Sequence, residues 1–236
     1  MHRGPTYAII QNMSDNLSTK AYEFLSRKLA RGELAPGQKL SERTLAAEIG
    51  VSRIPMHEAI RQLIDEGALF AKSQSGTYVS AFDRQTLVDI YEVREAIETR
   101  QAAAAIPHMT ERDRRTLRTH VAAQRKIADA FRASGMDILC GKQEADFLAH
   151  DFAQHLLLLK KAGNAYAERI VTSACRRNRF FGLHSHYRNR THVERTVADH
   201  ERIAAAVLAN DPAAAAEAMR GHIRASMADA LDALGA

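Results

Sequence analysis

Apolar residues along this chain recur at intervals of three and four, the spacing of one buried face of an α-helix. The first stripe, Ala21, Tyr22, Leu25 and Leu29, predicts a helix from Leu17 that stops at Gly32. Residues 1–17 carry no clear pattern and are expected as a flexible arm. After a Pro36-Gly37 turn, Ser41 is a plausible N-cap for a short helix, Glu42 to Ile49. Gly50 supplies a tight turn, and Ser52 can cap a further helix with Pro55 in its first turn. In that helix Met56, Ala59, Ile60, Leu63 and Ile64 form the buried stripe. Arg53, His57 and Arg61 stand four apart on the opposite face.

The rhythm then changes twice. Lys72 to Ser80 reads as two short strands around a Ser-Gly turn. Beyond a short linker at 82–86, six helical segments follow with no strand-like alternation: Leu87 to Ile106, ended by Pro107; Thr110 to about Ala133; Gln143 to Ala162; Tyr166 to Tyr187; Thr191 to Ala209; and Asp211 to Leu234. The expected fold is mainly α. It places a winged helix-turn-helix with a small β wing over 18–81, and an antiparallel bundle of six helices, or seven, over 82–236.

Length and charge narrow the function. At 236 residues the chain fits one large domain or two modest ones, and 46% apolar content is ample for a core. The formal charge of +5 and a pI near 9.4 give only a mild lean toward polyanions. Between Lys20 and Lys72 nine Lys/Arg face seven Asp/Glu, so a case for DNA rests on where charges sit rather than on their excess. Tryptophan is absent and other aromatics are few, which argues against base stacking in a single-strand or RNA binder. No apolar run reaches membrane length and no signal-peptide core is seen, so a cytoplasmic protein is expected. Cys140 and Cys175 form no motif and are expected as free thiols.

A helix that buries one side and offers a basic row on the other can enter a major groove, with the wing on phosphates. The stretch from Glu33 to Ser80 resembles the winged helix-turn-helix of GntR-type bacterial transcription regulators. The pieces PGxxLSE, LAxxxGVSR and EAxxxLxxEG occur in order and in register over about fifty residues. The resemblance implies contacts to a double-stranded operator from Arg43, Ser52, Arg53, His57, Arg61, Gln74 and Gly76. One departure stands out. The family pattern has Val-Arg where this chain has Met56-His57, and a neutral imidazole cannot grip guanine or phosphate as a fork.

In the bundle, Asp151 and His155 lie four apart on one helix face. His200 lies about ten residues before the Asn210-Asp211 turn and His222 about eleven after it, so the two stand at one height in an antiparallel hairpin. One aspartate and three imidazoles can converge inside a bundle to hold a metal. Taken singly, each histidine fits a surface or structural role as well. Nitrogen and oxygen donors favour zinc, nickel, manganese, cobalt or iron over calcium.

Residues 83–234 resemble the FCD ligand-binding domain of the FadR branch of these regulators, through YEVREAIE from Tyr91, DFAQHLLLLKKAGN from Asp151, and HERIAAAVLANDPAAAAEAMRGHI from His200. The resemblance implies that Asp151, His155, His200 and His222 hold a divalent metal, with zinc, nickel or manganese favoured. It further implies a small carboxylate effector over the metal, with Arg94 as first candidate for its countercharge. Arg177 and Asn178, in the unusually basic fourth helix of the bundle, are further candidates; His184 and His186 have no partner at metal spacing. The function expected is a ligand-responsive, homodimeric transcription regulator, a repressor, rather than an enzyme. Two alternatives are a metalloenzyme using the Asp/His site to activate water and a pure metal sensor.

Overall fold

Helix α1, Pro5–Ala30, runs past the start expected at Leu17. The computed structural model describes residues 5–81, 83–180 and 189–235, with side chains for 17–81, 83–176 and 189–232. Residues 5–16, expected as part of an unpatterned arm, are therefore helical. Their side chains and residues 1–4 lie outside the described residues. The described residues form two compact units, one centred on 5–81 and the other on the helices after 83.

In the first unit, α2 is Glu42–Ile49 and α3 is Arg53–Asp65. The Ser41 hydroxyl accepts from the Thr44 N–H at 3.3 Å, so it satisfies one of the donors left orphaned at a helix start. Gly50 closes α2 in the left-handed region at φ 69°, and the Val51 N–H reaches back to the Ala46 carbonyl at 3.0 Å. Ser52 corrects an expectation: it stands at the N-cap of α3 with extended backbone, but its side chain makes no capping bond. The stripe of α3 behaves as its spacing predicts. Met56, Ala59, Ile60 and Leu63 are buried against Ala21, Leu25 and Leu29 of α1 and Leu45 of α2. That burial, more than helix propensity, holds a helix of thirteen residues in place.

Strands β1, Leu69–Lys72, and β2, Gly76–Val79, pair antiparallel with Leu69 opposite Val79 and Lys72 opposite Gly76. The turn lies at 73–75, with Gln74 at φ 55°, and Gly76 opens β2 rather than forming the turn. Residues 37–40 add a third edge: Leu40 N–H donates to the Thr77 carbonyl at 2.8 Å and Val79 N–H to the Gln38 carbonyl at 3.0 Å. A Cβ on Gly76 would come within 3.0 Å of Lys39 Cε, so glycine permits this close crossing.

The second unit contains α4 (Arg84–Ala105), a 3-10 turn (Ile106–His108), α5 (Glu111–Ser134), α6 (Gly141–Lys161), α7 (Ala165–Phe180), α8 (Arg190–Leu208) and α9 (Pro212–Gly235). The α7 helix was expected to reach Tyr187, and residues 181–188 lie outside the described residues. Caps explain the starts. Asp83 accepts from Thr86 N–H at 2.8 Å, Thr110 and Asp113 form a reciprocal capping box, and Asn189 accepts from His192 N–H at 3.0 Å. Helix α4 packs mainly on α9, α9 also on α8, and α5 on α6 and α8. One apolar cluster gathers Ala128, Phe131, Leu139, Phe147, Val193 and Val197. Further buried apolar side chains, among them Leu87, Leu117, Leu159, Val207 and Ile223, surround a polar set: Arg94, Glu98, Gln124, Gln154, His155, Asp199, His200 and His222 are all buried.

Candidate metal centre and DNA-reading face

Faces of three helices bring the candidate ligands together. Helix α6 brings Asp151 and His155, one turn apart; α8 brings His200; α9 brings His222. One ligand atom from each of these four residues lies within 4.8 Å of all the others. The Nε2 atoms of His155 and His222 are each 3.3 Å from Nε2 of His200, and Asp151 Oδ1 is 3.5 Å from it. The convergence read from helix spacing is present.

The outward nitrogens explain why the rings point inward. His155 Nδ1 makes a short contact with Glu98 Oε2, and Arg94 Nε donates to Glu98 Oε1 at 2.7 Å. His200 Nδ1 is 2.7 Å from Gln124 Oε1. The Gln124 amide is itself oriented, since its Nε2 donates to the Phe147 carbonyl at 3.3 Å. His222 Nδ1 stands 3.5 Å from Asp199 Oδ2, a longer approach. Oxygen acceptors beside Nδ1 of His155 and His200 place the proton there and leave their Nε2 lone pairs aimed at one point, whereas His222 Nδ1 is buried beyond hydrogen-bond reach of Asp199. Asp151 Oδ1 is buried there without a hydrogen-bond partner. Converging lone pairs and an orphaned carboxylate oxygen fit a divalent cation, which would take all four.

Electrostatics favour neutral rings with a free lone pair at His200 and His222, and a protonated ring at His155 as long as no cation displaces that proton. Burial pulls His200 well below the usual imidazole range, and positive charge on neighbouring His222, His155 and Arg94 would add to it. His222 is lowered too, by burial first, with Asp199 opposing. Burial also disfavours charge on His155, but Glu98 outweighs it and the net direction is up. Burial alone would raise Glu98; Arg94 and His155 overcome it and hold it at about 2. Glu98 is thus ionised, a fixed negative partner behind the His155 ring.

The first unit presents a separate face. Arg43, Ser52, Arg53, His57, Arg61, Gln74 and Gly76 are all exposed. Arg53, His57 and Arg61 form the outer row of α3, and Ile54 beside them is 68% exposed. Gln74 and Gly76 lie at the wing tip, near exposed Lys72. His57 Nδ1 approaches Glu42 Oε1 of α2 at 3.2 Å.

Two family descriptions match this chain: bacterial regulatory proteins of the gntR family over residues 17–79, and the FCD domain over residues 89–225. The chain belongs to the GntR family of bacterial regulators. Its GntR relatives include an HTH-type transcriptional regulator in an unstable DNA locus of Streptomyces ambofaciens, 33% identical over 84% of this chain and 78% of that protein. Another is the HTH-type transcriptional repressor GlaR of Escherichia coli K12, 26% identical over 87% of this chain and 92% of its own length. The solved structure of E. coli McbR/YncC shares the fold, with a TM-score of 0.72 at 17% identity over 92% of this chain and 98% of that one. The protein is a DNA-binding transcription regulator with an FCD ligand-binding domain, and its relatives are regulators rather than enzymes. Among the described residues no helix is long and apolar enough to cross a membrane.

Of the residues expected at an effector site, Arg94 is buried, bonded to Glu98 and 5.1 Å from the Tyr91 ring centroid. Arg177 and Asn178 lie on α7, with side chains outside the described residues, and His184 and His186 lie wholly outside the described residues. Sequence reasoning missed Glu98, Gln124, Gln154 and Asp199. The Arg94–Glu98 spacing of four was a usable signal. Gln124 offered none, since an isolated glutamine in a helix reads as surface.

Proposed function

We propose that this GntR regulator is a homodimeric repressor whose bundle holds a divalent metal on Asp151, His155, His200 and His222 and binds a small carboxylate effector beside it. The observation that carries the proposal is the convergence of three imidazoles, two of them with Nδ1 against an oxygen acceptor, on the unpartnered Asp151 Oδ1. When bound, a metal of octahedral preference keeps positions open for a carboxylate. The chain's own residues do the rest. Glu98, Gln124 and Asp199 hold the ligand rings, and Arg94 supplies positive charge at the same depth. Zinc, nickel or manganese suits this donor set. The repressor role draws support from the E. coli relative named as one.

In the first unit, α3 lies in the major groove with Arg53, His57 and Arg61 toward the bases, while Arg43 and the wing residues Gln74 and Gly76 sit near phosphates. Effector binding shifts DNA affinity only by as much as it prefers one arrangement of the protein over another. The test is a gel-shift titration of the purified chain on its own upstream DNA, with metal present, against a panel of small organic acids. One acid should weaken binding, and a chelator should abolish its effect. DNA binding indifferent to every acid and to chelation would defeat the proposal. A metal-sensor reading is favoured instead if the four ligands close a tetrahedral site; metal alone then changes DNA affinity without any acid.

A further inference from the structure

Along the outer row of α3, His57 differs from its neighbours in having a partner. Arg53 and Arg61 are exposed cations, always charged and donor-only. The His57 ring is 65% exposed, yet its Nδ1 lies 3.2 Å from Oε1 of Glu42, the first residue of α2. The Glu42 side chain is only 25% exposed. Its helix is anchored by the Ser41 cap and by burial of Leu45 and Ala46, so the carboxylate is presented from a fixed element.

An ionised carboxylate only accepts hydrogen bonds. The proton of a neutral His57 ring therefore sits on Nδ1, toward Glu42. The opposite nitrogen, Nε2, points away from Glu42 with its lone pair outward and can only accept. In the major groove adenine and cytosine offer an exocyclic amine, whereas guanine and thymine offer carbonyl oxygens at the corresponding edge. An outward acceptor matches the first pair and is mismatched to the second.

We infer that the Glu42–His57 pair is a tautomer lock that makes this regulator select an amino base, adenine or cytosine, at one position of each operator half-site. The inference rests on the placement of α3 in the groove proposed above. His57 is the reading residue and Glu42 the positioning residue. A single hydrogen bond of this kind gives discrimination of roughly three- to tenfold between amino and keto bases.

The experiment is selection from a randomised double-stranded DNA pool with the full-length protein at about pH 8. It is run on the wild type, His57→Arg and Glu42→Gln, each first checked by thermal melting. The wild type should enrich adenine or cytosine at the position that His57→Arg converts to guanine. Glu42→Gln should lose that preference, because an amide can accept from or donate to Nδ1 and so frees both tautomers. It should also raise affinity for all sequences by removing a negative charge beside the DNA. A purely electrostatic role for Glu42 would raise affinity and leave the preference unchanged, and that result overturns the lock. So does a wild type that enriches guanine or thymine at the position His57→Arg alters. If His57→Arg changes no position at all, both the lock and the placement of α3 in the groove are wrong. His57→Arg keeps the question answerable should Glu42→Gln fail to fold.

Discussion

Gln124 shows how much one uncharged side chain can decide. It is fully buried, its amide nitrogen tied to the Phe147 carbonyl and its oxygen to His200 Nδ1. Gln154 Nε2 shares that oxygen. Truncation to alanine would free His200 to rotate or change tautomer. Gln124→Ala should therefore weaken metal affinity about 10- to 100-fold with all four ligands intact, measured by competition against a chelating dye. Unchanged affinity would mean that the packed helices alone aim the ring. At the same scale, Tyr22 is pushed up to about 12, by burial first and then by its 2.8 Å hydrogen bond to Glu66. A group whose folded pKa is raised contributes stability that is complete below its unfolded value, about 10, and lost as pH rises through the folded one. Wild type should accordingly lose more stability than Tyr22→Phe between about pH 10 and 12. Melting temperatures of the two across that window provide the check.

At the scale of elements, helix spacing was legible and helix ends were partly so. The stripe of α3, the Thr110 cap, Gly50 and the stacking heights of His200 and His222 could all be read from the linear pattern. Each depends on residues close in sequence or on rigid helix geometry. Helix α1 extends to Pro5 although residues 5–16 show no amphipathic stripe, so the signal used to find helices was absent there. Ser52 was expected to cap α3 because serine favours that position, but preference for a site does not fix a hydroxyl's rotamer. Gln124 and Asp199 were invisible for a different reason, and Glu98 was legible only as a partner of Arg94 four residues away, not as a partner of His155. Each serves a ring on another helix, and such pairings exist only after tertiary packing. Gly50 offers a direct test of the turn. No atom crowds a Cβ placed there, so Gly50→Ala isolates the cost of a left-handed backbone. That cost is about 1–2 kcal/mol. The first unit should melt roughly 4–8 °C lower for each kcal/mol, and DNA affinity should fall as the angle between α2 and α3 loosens.

For the molecule as a whole, two compact units imply two separable unfolding events. The four proposed ligands all lie in the second unit, and none lies in the first. Calorimetry of the metal-loaded chain should show two transitions, and chelation should lower only one. An ion present at about a hundred times its dissociation constant stabilises by about 2.7 kcal/mol, a shift of roughly 5–10 °C for a bundle of this size. A chelator that moved both transitions equally, or neither, would contradict the assignment. The fold class was legible at this scale from helix count and the convergence of the four candidate residues from helix register, while their role as metal ligands was implied by the family resemblance.

The Arg94–Glu98–His155 chain has an evolutionary consequence. Loss of Arg94 alone removes the guanidinium that balances the buried Glu98 carboxylate, and loss of Glu98 alone removes the carboxylate that balances Arg94 and unmoors the His155 ring. Breaking such a pair costs about 3–5 kcal/mol, a large part of a domain's whole margin. Drift away from this interior one substitution at a time therefore passes through poorly folded intermediates. Descendants of this gene should retain the trio intact or exchange it wholesale for oily residues, with few half-way forms surviving.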